Sequence, residues 1–227
     1  MAFGVTFIGH APGTSGTTMA LPAYNQTSGH CIVVGIQVFP GDGTFGNITD
    51  TAGNNANYVQ AITKANGTIT GYLYYVKNCL GNATNVITVH AGAGVFTFAG
   101  MFAWDISGAS LTTPLDQTAS GSGTGTSPLT APFTTQFANE VIIGYNISNP
   151  STASAANGGA TLDGNEGQGA NLSSGSHLLV SSIQTNTTAG FTALTSTWEM
   201  MAATFTDGVS SGGGNNNAGL LRLLGVN

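Results

Sequence analysis

The side chains able to do acid–base, nucleophilic or metal chemistry are few and scattered. The closest pair of carboxylates is Asp163-Gly-Asn-Glu166, inside a Gly-rich run. Glycoside hydrolysis needs two carboxyl groups about 5–10 Å apart across the sugar. On a strand this need takes the form Glu-x-Asp-x-Glu, with both acids on one face, and no such triplet occurs. Asp163 and Glu166 therefore read as a solvated turn. A serine nucleophile with a His and an acid is usually held on a sharp Gly-x-Ser-x-Gly elbow. Ser173-Ser-Gly-Ser-His177 and Gly121-Ser-Gly-Thr-Gly125 are low-complexity runs instead. His10, His30, His90 and His177 are far apart in the chain. Each reads as a turn or strand residue with a hydrogen-bonded ring. No catalytic residue is assigned, and the chain is expected not to be an enzyme.

Ligand chemistry is equally thin. Calcium prefers several oxygens on one flexible loop. Asp42 and Thr44, the run Asp50, Asn54, Asn55, and the group Asp163, Asn165, Glu166 offer oxygens without the full spacing. Asx turns, in which the side chain bonds its own backbone, account for them. Cys31 and Cys79 have no second ligand at metal spacing and read as two buried thiols, with a bridge between them as the alternative. No metal and no cofactor are expected. Asn-x-Ser/Thr triplets at Asn25, Asn47, Asn66, Asn82, Asn146, Asn171 and Asn186 are expected by chance in a chain so rich in these residues. Tyr24, Tyr58, Tyr72, Tyr74 and Tyr75 could stack on sugars. Packing between sheets is the favoured reading, with Tyr72 and Tyr74 on one face and Tyr75 on the other.

The elements that carry these residues follow a period of two broken by turn residues. Val5 and Phe7 open a first strand. Cys31–Val38 is apolar on both faces and reads as central. Tyr58–Thr63, Gly71–Lys77 and Asn85–His90 follow. From Val95 to Ile106, Phe96, Phe98, Phe102, Trp104 and Ile106 share one face, and small groups fill the other. Later strands are expected over Glu140–Ile147, His177–Ile183 and Thr197–Phe205. Another over Thr126–Phe137 is interrupted by Pro128 and Pro132 and so belongs at an edge. The connections Gly41–Asn57, Leu115–Ser127, Asn149–Ser176 and Thr185–Gly190 carry no helical stripe. The expected fold is all-β: an antiparallel β-sandwich, jelly-roll-like, of about nine or ten strands. It occupies one domain over residues 1–207.

Composition closes off several function classes. Lys and Arg total 3, Asp and Glu total 9, and charged residues make up 5% of the 227, against roughly 25% in ordinary chains. At net charge −6 the cations are too few to neutralise nucleic-acid phosphates or to hold an anionic membrane. No apolar run approaches the roughly 20 residues that span a bilayer. Phe 11, Tyr 6 and Trp 2 argue against disorder. The surface must then be solvated by hydroxyls and amides. The first ten residues lack the basic and long apolar regions of a secretion signal. Synthesis in a host cytoplasm is expected, unless a leader has been lost.

The C-terminus has its own character. Residues 208–218 form a Gly- and Asn-rich linker, and residues 219–227 an apolar segment with Leu220, Leu221, Leu223, Leu224 and Val226. Each side chain would contribute about 1.5–3 kcal/mol if fully covered, against an ordering cost of about 1–2 kcal/mol per residue. Docking is favoured only if most of them find cover. Strand addition to a neighbouring sheet edge is the natural mode for an extended segment.

Several segments, in order, resemble a broad group of β-sandwich modules from tailed-phage virion proteins and bacterial surface proteins. They are Gly29–Gln37, Asp50-Thr-Ala-Gly-Asn-Asn-Ala-Asn-Tyr58, Leu73–Asn78, Asn85–Val89, Ala103–Gly108, Asn139–Gly144 and Thr197–Phe205. The likeness covers roughly residues 28–206. It implies a β-sandwich fold and a particle or surface setting, and carries no catalytic residues. With the composition, it makes a virion structural protein the leading expectation: a capsid decoration, head-fibre or tail accessory subunit. Its expected partners are copies of itself and other virion proteins, with no nucleic acid and no membrane. The alternative is an extracellular or cell-surface adhesin that binds host-surface glycan through loops 41–57 and 149–176.

Overall fold

The computed structural model describes residues 3–67, 69–149, 155–168, 171–192 and 196–208. The chain folds as an all-β sandwich of antiparallel sheets. One five-stranded sheet runs in the order β1 (Gly4–Pro12), β10 (Gly100–Ser107), β4 (Cys31–Val38), β7 (Ile69–Val76), β6 (Val59–Asn66). A second runs β11 (Leu115–Gly125), β17 (Ser196–Thr206), β12 (Asn139–Asn149), β15 (Asn171–Ser181), β14 (Thr161–Gln168). A three-stranded sheet holds β2 (Thr18–Ala20), β9 (Ile87–Ala93) and β5 (Thr44–Asp50). Two short pairs complete it: β3 (Tyr24–Gln26) with β8 (Asn82–Asn85), and β13 (Ala155–Ala156) with β16 (Phe191–Thr192). Among the described residues the only helix is a single 3-10 turn, Asn55–Asn57, and none is long and apolar enough to cross a membrane.

The first five-stranded sheet is a middle layer, and its sequence explains why. β4 carries apolar residues at both odd and even positions, so neither face can be left in water. Cys31 and Val33 join Leu73, Phe102, Trp104 and Ile106 on one face, against Val141, Ile143, Tyr145, Ile147, Met201, Ala203 and Phe205 of the second sheet. Ile32, Val34 and Ile36 join Met101, Ala103 and Val76 on the other, against Met19, Ile48, Ile87 and Val89 of the three-stranded sheet. All of these except Met19 and Ile48 are 0% exposed. The rings of Phe102, Trp104 and Tyr145 lie 5.6 to 6.5 Å apart at the first interface. Tyr145 fits because Gly35 opposes it: a Cβ there would sit 3.1 Å from the ring.

The chain order is segregated. The middle sheet uses only strands up to Ser107 and the second sheet only strands from Leu115 onward. A jelly roll alternates between its two main sheets; here the alternation is confined to the first half, between the middle and three-stranded sheets.

Several sequence boundaries need correction. The ring-rich strand begins at Gly100 rather than Val95. Phe96 packs in the opposite interface from Phe102 and Trp104, and Phe98 is 37% exposed. No strand forms over residues 126–137, only isolated bridges at Leu129 and Phe133. The supposed connections are strands instead: β5 lies within 41–57, β11 within 115–127, and β14 with half of β15 within 149–176. Their glycines and hydroxyls erased the alternation because bulky neighbours need the room. A Cβ on Gly175 would meet Trp104 at 2.6 Å, and one on Gly123 would meet Trp198 at 2.9 Å.

Candidate functional site

Asp163 and Glu166 lie on strand β14, not in a solvated turn. β14 is the edge of the second sheet and runs beside β1, the edge of the middle sheet. Glu166 pairs with His10 of β1. Asp163 accepts from Trp104 Nε1 of the middle sheet at 2.7 Å and from His177 Nδ1 of β15 at 2.7 Å. A carboxylate only accepts, so each imidazole presents its Nδ1–H. The acid pair thus fastens two sheets along a seam. His10 also stacks on Phe102, with ring centroids 5.3 Å apart.

The other loop acids are clamps as well. Asp50 accepts from the backbone of Gly53 and Asn54 and from the Asn54 side chain, each at 2.8 Å, and from the Tyr58 hydroxyl at 2.9 Å. The Asp50–Tyr58 spacing is therefore a hydrogen-bonded knot, as the Asx-turn reading expects. Asp42 likewise accepts from Phe39, Thr97 and Phe98 backbone N–H groups. Among the described residues no group of three or more His, Cys, Asp and Glu could hold a metal. Cys31 and Cys79 are both buried free thiols. Burial pushes both up, Cys79 to about 11, so neither is a ready nucleophile.

His30, Asp105 and Ser107 form a constellation that sequence reasoning missed. They line an open cleft of about 330 Å³ with Thr6, Tyr24, Asn25 and Thr27. His30 Nδ1 lies 2.5 Å from Asp105 Oδ1. Burial raises the Asp105 carboxyl, and the His30 bond opposes the rise. The only sequence signal was the β10 register. Met101 and Ala103 face the three-stranded sheet, and the same face turns polar at Asp105 and Ser107. His30 is distant in the chain and nothing local announces it. The fourth histidine, His90, bonds Thr49 at 2.8 Å, so all four rings have partners, as expected.

The tyrosines divide as the strand period implies. Tyr72 and Tyr74 cluster with Phe45 at 5.1 and 5.2 Å, half-buried on one face. Tyr75 meets Phe205 at 5.7 Å on the other. The Tyr74 hydroxyl donates to Gln60 at 3.1 Å.

Two glutamates are buried outright, Glu140 and Glu199 at 0% exposure. Burial pushes Glu199 up to about 8, with Lys64 pulling it down. Burial also raises Glu140, with the Thr204 hydroxyl opposing and the Asp116 carboxyl adding to the rise. The backbones of Asn66 and Gly71 also pull Glu199 down, from positions too poorly aligned to satisfy either carboxyl oxygen fully. A folded carboxyl held protonated above its unfolded value of 4.5 stabilises fully below that pH. It loses this contribution as pH rises toward 8. Denaturant midpoints should therefore fall between pH 5 and pH 9, and Glu199→Gln should flatten the fall. An equally steep profile in the variant would assign the pH dependence elsewhere.

One pattern unites these sites. Of the nine acidic residues, none is exposed. Eight of them accept a well-formed hydrogen bond from the protein. The expected docking residues Leu220, Leu221, Leu223, Leu224 and Val226 lie outside the described residues. Comparison with family models, curated proteins and solved structures finds no match.

Proposed function

We propose that this chain is a structural subunit of a virion, acting as a capsid decoration, head-fibre or tail accessory protein. The observation that carries this reading is the withdrawal of every acidic side chain from full exposure. It leaves a hydroxyl- and amide-rich exterior that carries little charge into a protein–protein contact. Neutral surfaces of this kind pack against copies of themselves without desolvating ions. The partners are other copies of the chain and other virion proteins. The setting is the particle, with synthesis in a host cytoplasm.

The apolar segment 219–227 is the proposed docking element. Gly208 packs on Ser110, next to Leu111, which is 52% exposed. The described chain therefore ends against the residue that precedes an exposed leucine. Deleting residues 210–227 should abolish incorporation into particles while leaving the thermal unfolding of the domain unchanged. Particle-bound protein at undiminished copy number after the deletion would remove the segment from the assembly.

A second reading is a glycan-binding adhesin on a phage or bacterial surface. The half-buried cluster of Phe45, Tyr72 and Tyr74 favours it, because aromatic rings stack on the apolar faces of sugars. The cluster includes Phe45 of β5, within the 41–57 segment expected to carry the contact.

A further inference from the structure

We propose that the cleft beside His30 and Asp105 binds a single neutral saccharide unit. This deepens the glycan-binding reading and moves the contact away from the Phe45–Tyr72–Tyr74 rings. The cleft, at about 330 Å³, falls within the roughly 300–1,000 Å³ range of small-ligand sites. It opens where the three-stranded sheet stops covering the middle sheet. Its floor is Asp105 and Ser107 of β10 with Thr6 of β1, which pairs with Asp105. Its wall is Asn25, Thr27 and His30.

The chemistry of that lining selects the ligand. No Lys or Arg lines the cleft, so a phosphate, sulfate or carboxylate would enter without a counter-charge. The Asp105 carboxylate is already paired with His30, so a cationic ligand would compete with a partner in place. The rest of the polar lining is the hydroxyls of Thr6, Thr27 and Ser107, the Tyr24 phenol and the Asn25 amide, groups that both donate and accept. A polyhydroxyl ligand matches such a set, since each of its hydroxyls must also donate and accept. The His30–Asp105 bond fixes the ring orientation in the wall, the arrangement that makes polar recognition selective. Ile8 borders the cleft on the face opposite the Phe7 ring, which packs on Phe102 and Trp104, and supplies an apolar edge for the carbon face of a sugar ring.

The test is a titration of the whole chain with glucose, galactose, mannose and N-acetylglucosamine, followed by saturation-transfer NMR and the four imidazole signals. At least one sugar should receive saturation and move the His30 signal, while the His90 signal stays fixed. Ser107→Ala and Asn25→Ala should each weaken binding roughly threefold to tenfold, the loss of about one neutral hydrogen bond. Saturation transfer that survives both cleft variants but falls in Tyr74→Ala would overturn the cleft and keep the glycan reading. No transfer to any of the four sugars would overturn both.

Discussion

Trp104→Ala should lower the unfolding free energy by about 3–5 kcal/mol, the range for emptying a buried aromatic site. Two losses combine in this residue. Trp104 is 0% exposed and packs between Phe102 and Tyr145 in the interface of the two five-stranded sheets. Its Nε1 is also a donor to Asp163, a carboxylate whose side chain is 3% exposed. Removing the indole leaves both a cavity and a carboxylate with one donor fewer. Trp104→Phe separates the two effects: it keeps a ring and loses the donor, at about 1–3 kcal/mol. Urea denaturation at constant pH reads both variants. Equal losses would mean that the indole N–H contributes everything and the ring volume nothing, contrary to the packing described here.

Asp50→Ala should cost about 3–5 kcal/mol, because one carboxylate organises an entire connection. Its four donors are two backbone N–H groups, an amide and a phenol. The residue is 7% exposed, so water does not readily replace it. Truncation leaves several buried donors unpaired, the expensive direction of hydrogen-bond loss. Burial and the Asp50 charge both hold the Tyr58 phenol well above its ordinary range, and the variant should bring it down. Asp50→Asn should fall between wild type and Asp50→Ala, since an amide oxygen keeps some acceptors but turns a donor toward other donors. Guanidinium midpoints for the three proteins check the order. A wild-type midpoint for Asp50→Ala would show that the 50–58 connection is held by something other than this side chain.

The legible and illegible parts of the chain divide on side-chain size. Where apolar side chains alternate, as in Cys31–Val38 and Val141–Ile147, the period of two marked the strands and their core faces. The doubly apolar pattern of Cys31–Val38 also marked a central strand. Where glycine alternates with serine or threonine, as in Gly121–Gly125 and Ser174–Ser176, the period carries no hydrophobic contrast. Those strands were hidden because their small residues serve the large ones opposite, Trp198, Phe102 and Trp104. The seam of His10, Asp163, Glu166 and His177 was hidden for a different reason. It joins residues 156 positions apart, and only the meeting of two sheet edges brings them together. Asp50 was readable as a turn-former, since Asp and Asn side chains bond nearby backbone. The reach to Tyr58 was not.

The inward turn of the carboxylates bears on how contacts made by such a surface respond to salt. Dissolved ions weaken attractions between exposed charges over distances of about 10 Å at 0.1 M. A face built from threonine, serine, asparagine and glycine offers them little to screen. Contacts made through it depend on fit and released water, so they should hold from fresh water to brine. The acids that do respond to their surroundings sit where salt cannot reach them.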